Sequence, residues 1–337
     1  MLRTIEERHQ VPRMLAYRGL HTGGGVTPEF GALHGAYSSA AVGVQRLVLG
    51  TNYHRAPVVV ASQDNTIAGG YPLITSGATI TQIDIGAKNH LGAAVDTRMH
   101  SIMFGWMSDS TDLVRPQRIR TVLDRPRYLG LEVVGGVSPS LAIGSADASI
   151  TRLSAGRYQI TYTTSFGIAP SVVGISKDAA LSVEVETASD NVSAIISLNT
   201  AGQVATDGNF YLHVMGTDSV TEHARLWRAV KATHLKPRLI PLQISVAAGT
   251  PSLSVGGDYG TVTDLGVGNF RVTLTDPAFR NLIPVATADD SRTYIENVDT
   301  DSFELVHTLA DGSTANDPGS VNCLALAYYE GNEYYQG

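Results

Sequence analysis

Alternation of apolar and polar side chains is the dominant pattern along the chain. Tyr158, Ile160 and Tyr162 alternate with Gln159, Thr161 and Thr163, and Phe270, Val272 and Leu274 alternate with Arg271, Thr273 and Thr275. A period of two puts successive side chains on opposite faces of a strand, so the apolar trios are expected to face a core. Leu181 to Val185, Thr293 to Val298 and Phe303 to Val306 read as further strands, and apolar runs close at Ser101 to Trp106, Phe210 to Met215 and Cys323 to Tyr329. Gly, Pro, Asp and Asn turns separate these runs at the density of an antiparallel two-layer β protein.

The pattern occurs three times. Gly156-Arg157-Tyr158-Gln159-Ile160-Thr161-Tyr162-Thr163, Phe166 and Ala169-Pro170-Ser171-Val172-Val173 match Gly268-Asn269-Phe270-Arg271-Val272-Thr273-Leu274-Thr275, Phe279 and Ile283-Pro284-Val285. A fainter copy runs through Gly43 to Leu49, Tyr53 and Ala56-Pro57-Val58-Val59-Val60. Upstream, Pro12-Arg13, Pro126-Arg127 and Pro237-Arg238 recur, each followed by Val26-Thr27-Pro28, Val137-Ser138-Pro139 or Gly249-Thr250-Pro251. Self-similarity at a fixed period marks a repeat architecture. The expected fold class is therefore all-β, with three tandem antiparallel β-sandwich domains of jelly-roll or Ig-like type set in line as an elongated molecule.

The boundaries follow from where the texture changes. They are an N-terminal arm at 1–10, sandwiches at 11–108, 123–217 and 236–331, linkers at 109–122 and 218–235, and a C-terminal tail at 332–337. The linkers are basic: Arg115, Arg118 and Arg120 in the first, with Arg125 just beyond it, and Arg225, Arg228 and Lys231 in the second, with Lys236 just beyond it. Ser219 followed by Glu222, with Leu226 and Val230 four apart, predicts a helix in the second linker. Either a docking stripe for an acidic neighbour or a solvated linker face accounts for their charge.

Composition narrows the function classes. The 337 residues carry 24 Lys+Arg and 31 Asp+Glu, a net charge of −7, and only 16% of residues are charged. That balance speaks against nucleic-acid binding. One cysteine, Cys323, allows no internal disulfide and no Cys-based zinc site. The N-terminal residues lack the apolar run of a signal peptide, and no stretch is apolar enough for a membrane span, so a cytoplasmic origin is expected.

Few residues suggest chemistry. There is no Gly-Lys-Ser or Gly-Lys-Thr triplet, no Gly-x-Ser-x-Gly elbow and no His-Glu-x-x-His pair. Gly23-Gly24-Gly25 lacks dinucleotide-cradle spacing and reads as a turn. His54, His90 and His100 are either three potential metal ligands or separate loop histidines. Asp289-Asp290 and Asp299 to Asp301 fit either a calcium loop or ordinary turns. Tyr328, Tyr329, Tyr334 and Tyr335 crowd the C-terminus, as interface or sugar-stacking rings do, against a frayed last strand. The chain is read as non-enzymatic, with no catalytic, cofactor or metal residue assigned and the ligand-binding residues unknown.

The phrase Gly-x-Tyr/Phe-x-Val/Ile-Thr-x-Thr, then Phe, then Pro with Val, then a Gly-bearing turn at Ala201-Gly202 or Asp311-Gly312, resembles β-sandwich modules of tailed-bacteriophage virion proteins. It is also similar to the H-type lectin module. The resemblance implies a structural virion component, a capsid decoration, head fibre or tail-associated protein, assembled in host cytoplasm and contacting other capsid or tail proteins. It further implies a homo-oligomer, with trimers common among such proteins. The alternative it implies is a tail-fibre component that binds a host receptor or surface glycan.

Overall fold

The computed structural model describes residues 12–106, 126–217 and 238–329, apart from loop positions 24, 31–34, 50–56, 65–69, 75–78, 80, 179–180, 187–188, 248, 276–278 and 290. Every regular element among the described residues is a strand. The arm, both linkers with the helix expected at 218–235, and the tail lie outside the described residues.

The 24 strands form six antiparallel sheets of four. The first eight are β1 (Pro12–Thr22), β2 (Gly25–Phe30), β3 (Gly35–Ala41), β4 (Val44–Leu49), β5 (Val58–Gln63), β6 (Tyr71–Ile74), β7 (Gln82–Lys88) and β8 (Arg98–Trp106). The next eight are β9 (Pro126–Val134), β10 (Ser140–Ile143), β11 (Ala148–Ser154), β12 (Arg157–Tyr162), β13 (Ser171–Ser176), β14 (Leu181–Val185), β15 (Ser193–Thr200) and β16 (Phe210–Thr217). The last are β17 (Arg238–Ala247), β18 (Thr250–Val255), β19 (Gly260–Gly266), β20 (Asn269–Leu274), β21 (Phe279–Ala288), β22 (Arg292–Glu296), β23 (Ser302–Thr308) and β24 (Ser320–Tyr329).

The first eight strands pair in the orders β2-β1-β8-β5 and β3-β4-β7-β6, and the same two orders recur, shifted by eight and by sixteen, in the other groups. Within a group the two sheets pack face to face. In the second, Leu129, Leu131 and Leu212 from one sheet meet Tyr158, Ile160 and Ile196 from the other in one buried cluster. The alternation seen in the sequence is the burial pattern: Tyr158, Ile160 and Tyr162 are buried, as are Phe270, Val272 and Leu274.

A repeated clamp fixes one end of each group. Gly43, Gly156 and Gly268 have φ of +69°, +62° and +72°. A Cβ at these positions would lie 2.5–2.6 Å from backbone atoms, so the turn requires glycine. Each glycine N–H donates to a carboxylate on the strand 7–8 connection: Asp96 at 2.6 Å, Asp207 at 2.8 Å and Asp317 at 2.5 Å. Asp96 also accepts from Gly23 N at 2.9 Å, tying the strand 1–2 turn to the same point.

The groups are not set in line. The fifth strand of each lies against the eighth strand of the group before it: β13 on β8, β21 on β16, and β5 on β24, which closes the cycle. The three fifth strands also touch one another. One buried cluster accordingly draws Val58, Val60 and Ile102 from the first group, Val173, Ile175 and Met215 from the second, and Ile283, Val285 and Leu326 from the third. Burying such side chains contributes about 1.5–3 kcal/mol each, which outweighs the independence that basic linkers suggested. Three head-to-tail contacts that close make a ring with internal three-fold pseudosymmetry.

The structure also shifts one landmark. The N–H groups of Asp64, Lys177 and Asp289 each donate at the start of the eighth strand of their own group, to Arg98 O, Asn209 O and Ser320 O, and so mark equivalent positions. Pro57 and Pro170 lie seven residues before theirs, but Pro284 only five, so Pro284 is not their counterpart.

Two outcomes test this packing. Phe166 is fully buried against Tyr162 and the Arg127 guanidinium, so Phe166→Ala should cost about 3–5 kcal/mol in a denaturant melt; the side chain of Phe279 is outside the described set. Protease sites engineered into 115–118 and 228–231 should, once cut, leave the three pieces together at the native mass in size-exclusion chromatography. Separation into independent fragments would show that the linkers, not the ring contacts, hold the groups.

Candidate functional site

The residues that do most beyond folding single sheets sit where the groups meet. Each fifth strand is the edge of its sheet, with a row of backbone N–H and C=O groups that need partners. Side chains of neighbouring groups supply them. Ser62 Oγ accepts from Gly174 N at 2.8 Å and donates to Gly174 O at 3.2 Å. Thr287 Oγ1 accepts from Ala61 N at 2.9 Å and donates to Ala61 O at 3.3 Å. The equivalent position in the second group is Ile175, which has no hydroxyl to offer.

Toward the other end of the fifth strands the partners change. Ser171 Oγ reaches Tyr17 O and Ser101 O at 3.1 and 3.0 Å. Val172 N donates to His100 Nδ1 at 3.2 Å. His213 Nε2 donates to Ile283 O at 2.7 Å while Nδ1 faces the Tyr128 hydroxyl. Both rings are buried, and desolvation of the charged form lowers their pKa: His213 to about 4, and His100 well below the usual range, aided by Arg18 and Arg98.

Two small cavities lie along these seams. One of about 40 Å³ is walled by all three groups, including Gly174, Ser176, Ser182, Thr287, Tyr71 and Arg292. The Arg292 guanidinium lies 5.0 Å from the Tyr71 ring centroid and its Nε donates to Ala310 O at 3.1 Å. The other, about 60 Å³, lies between the first two groups and is lined by Arg18, Glu29, Arg98, His100, Glu186 and Ser189. Ligand pockets for organic molecules run to roughly 300–1,000 Å³, so these spaces suit water or a small ion.

Around the second cavity the charges answer one another. Glu29 accepts from Arg98 Nε and Nη2 at 2.8 Å each and pairs with Arg18 at 2.9 Å. Asp64 takes Arg98 Nη1 at 3.1 Å and Thr97 Oγ1 at 2.5 Å. Glu186 holds Arg157 and Ser197. Each of these carboxylates is engaged by an arginine across or along the seam. The Cys323 thiol is buried, which pushes its pKa up, away from the reactive thiolate.

The residues singled out in the sequence do not converge. His90 sits in the strand 7–8 turn beside the Gln203 amide, 2.7 Å away, and His100 is buried at the seam; His54 lies outside the described residues. Asp289 Oδ1 pins Gly319 N at 3.0 Å and Asp299 N closes a turn onto Ser302 O at 2.8 Å; Asp290 is outside the described residues. Among the described residues no group of three His, Cys, Asp or Glu is placed to hold a metal. The side chains of Tyr328, Tyr329, Tyr334 and Tyr335 fall outside the described set, as do the linker arginines. Sequence reasoning missed the seam residues Ser62, Thr287 and His213, and named His100 only as a metal ligand or loop histidine, because each lies in an apolar strand whose partner is in another group.

No protein-family model, no curated protein and no solved structure matches the chain.

The seam histidines make stability acid-sensitive. Their folded pKa values lie below the unfolded value of about 6.5, so the unfolded chain binds more protons and stability falls as pH drops from 6.5 through about 4. Thermal melts across that window should show the decline, and His213→Gln, which keeps a donor for Ile283 O but does not titrate, should make it shallower. An unchanged slope would remove His213 as a cause.

Proposed function

We propose that the chain is a non-enzymatic structural component of a tailed-phage virion, acting through protein–protein contacts as a capsid decoration, head fibre or tail-associated protein. The observation that carries this reading is the closed ring of three eight-strand groups, taken here as three sandwich modules at 11–108, 123–217 and 236–331. Such a ring spends polar side chains on sealing strand edges, and the two seam cavities described among its residues hold about 40 and 60 Å³. It is a rigid block with repeated outer faces, suited to being held by neighbours in an assembly. The sequence resemblance to virion modules supplies the setting: assembly in host cytoplasm and partners among capsid or tail proteins.

Immunogold labelling of particles made from the genome that encodes the chain tests this. Gold on the particle is the expected result. Particles without label, together with saturable binding on a glycan array, would overturn it in favour of a receptor-binding fibre component. Release of sugar from host polysaccharide would overturn both.

A further inference from the structure

The larger seam cavity has two unlike walls. Arg18 on β1 stands directly opposite His100 on β8, and Arg98 lies two residues before His100 on the same strand. Directly paired residues, and residues two apart on a strand, project from one face of a sheet. The first group therefore sets two guanidiniums and an imidazole side by side. Tyr17 and Met99, on the opposite face, fill that group's own core. The second group supplies the other wall through Glu186 and Ser189.

Hydrogen bonding here uses up acceptors and leaves donors. Glu29 takes Arg98 Nε and Nη2 at 2.8 Å each and pairs with Arg18 Nε at 2.9 Å. Glu186 takes Arg157 through two nitrogens and Ser197 Oγ at 2.6 Å. Ser189 Oγ accepts from Ile195 N at 2.8 Å. Arg18 meets Glu29 through Nε, and its Nη1 and Nη2 have no acceptor among the described residues. His100 Nδ1 accepts from Val172 N at 3.2 Å, so the neutral ring carries its hydrogen on Nε2. That N–H also has no acceptor among the described residues, although the ring is buried.

The electrostatics point the same way. Burial lowers the pKa of His100, and the charges that lower it further are Arg18 and Arg98, so the ring lies in a positive potential. The pKa of Arg18 is itself lowered, because loss of water costs its cation more than Glu29 returns. The ring does not require such a cluster at its seams. Glu132 and Tyr211 in the second group, and Gln243 and Asn322 in the third, stand where the first has Arg18 and His100.

We propose that this cavity binds a small monovalent anion, chloride or a planar oxyanion the size of formate, with Arg18 Nη1 and Nη2 and His100 Nε2–H as donors. A guanidinium presents the parallel N–H pair that a planar oxyanion accepts. One water needs about 10–15 Å³, so about 60 Å³ admits such an ion and excludes nucleotides and sugars. The Arg18, Arg98 and Glu29 side chains keep 16, 17 and 23% exposure, which gives the ion a way in. The bound anion restores to Arg18 the compensation that burial against the second group takes away.

The full chain, held in sodium gluconate whose anion is too large for the cavity, tests this when gluconate is exchanged for formate or chloride at constant ionic strength. A saturable rise in melting temperature is expected. Arg18→Gln should raise the half-saturating concentration about tenfold or more, and Lys177→Gln, at another place in the ring, should leave it unchanged. A melting temperature indifferent to the exchange, or wild-type saturation in folded Arg18→Gln, would overturn the proposal. Bromide soaked into crystals of the unaltered chain gives a second measurement that needs no variant: an anomalous scatterer within hydrogen-bond distance of Arg18 and His100 is expected, and none there would overturn it. None of these results depends on whether the chain belongs to a virion.

Discussion

An edge strand must have its backbone groups satisfied or it will find another chain, and that constraint organises this molecule. The fifth strand of each group ends its sheet, and no further strand of its own group covers it. The neighbouring group does, and side-chain hydroxyls and imidazoles take the place of a ladder. Ser62 on Gly174 and Thr287 on Ala61 each satisfy a donor and an acceptor with one oxygen. A net hydrogen bond contributes about 0.5–1.5 kcal/mol, but stranding a buried backbone group costs about 1–3 kcal/mol. The seam is therefore held less by what its bonds add than by what their loss would leave exposed.

Because the three groups share one chain, equivalent positions are free to differ, and they do. The edge-sealing hydroxyl is Ser62 in one group, Thr287 in another, and is replaced by Ile175 in the third, where apolar contact does the work. The left-handed turn position is Gly92 and Gly312 in two groups but Gln203 in the other, with φ of +63°, and there the amide reaches His90. The pairing across the first and fifth strands is Glu132 with Lys177 in the second group, while in the first Arg18 and Asp64 stand at those places and connect through Glu29 and Arg98. Three identical chains would have to make one compromise at all three seams. A single chain fixes which group neighbours which.

The part of this that the sequence discloses is the part with short range. Strands appear as alternation at Tyr158, Ile160 and Tyr162 because the period of two is a property of neighbours. The turn glycines Gly43, Gly156 and Gly268 stand at fixed places in each repeat, so their role is visible even though their carboxylate partners, some fifty residues away, are not. The ring is invisible for a physical reason. Ser62, Thr287 and His213 lie in strands that read as ordinary core, and a hydroxyl in an apolar run looks like a tolerated polar residue until the neighbouring edge is placed beside it. The charged linkers misled in the opposite sense, since solvated spacers suggest separate bodies whereas about nine buried aliphatic side chains at the centre bind the groups together.

An even number of antiparallel strands returns the chain to the end at which it began, so each group starts and finishes on the same side, with Pro12 paired to Trp106 and Pro126 to Thr217. The described ends Trp106, Pro126, Thr217 and Arg238 accordingly lie where their groups start and finish. The other end of each group carries its strand 1–2, 3–4, 5–6 and 7–8 connections. Strand parity thus gives each group chain entry and exit at one end and the glycine-to-aspartate clamps at the other.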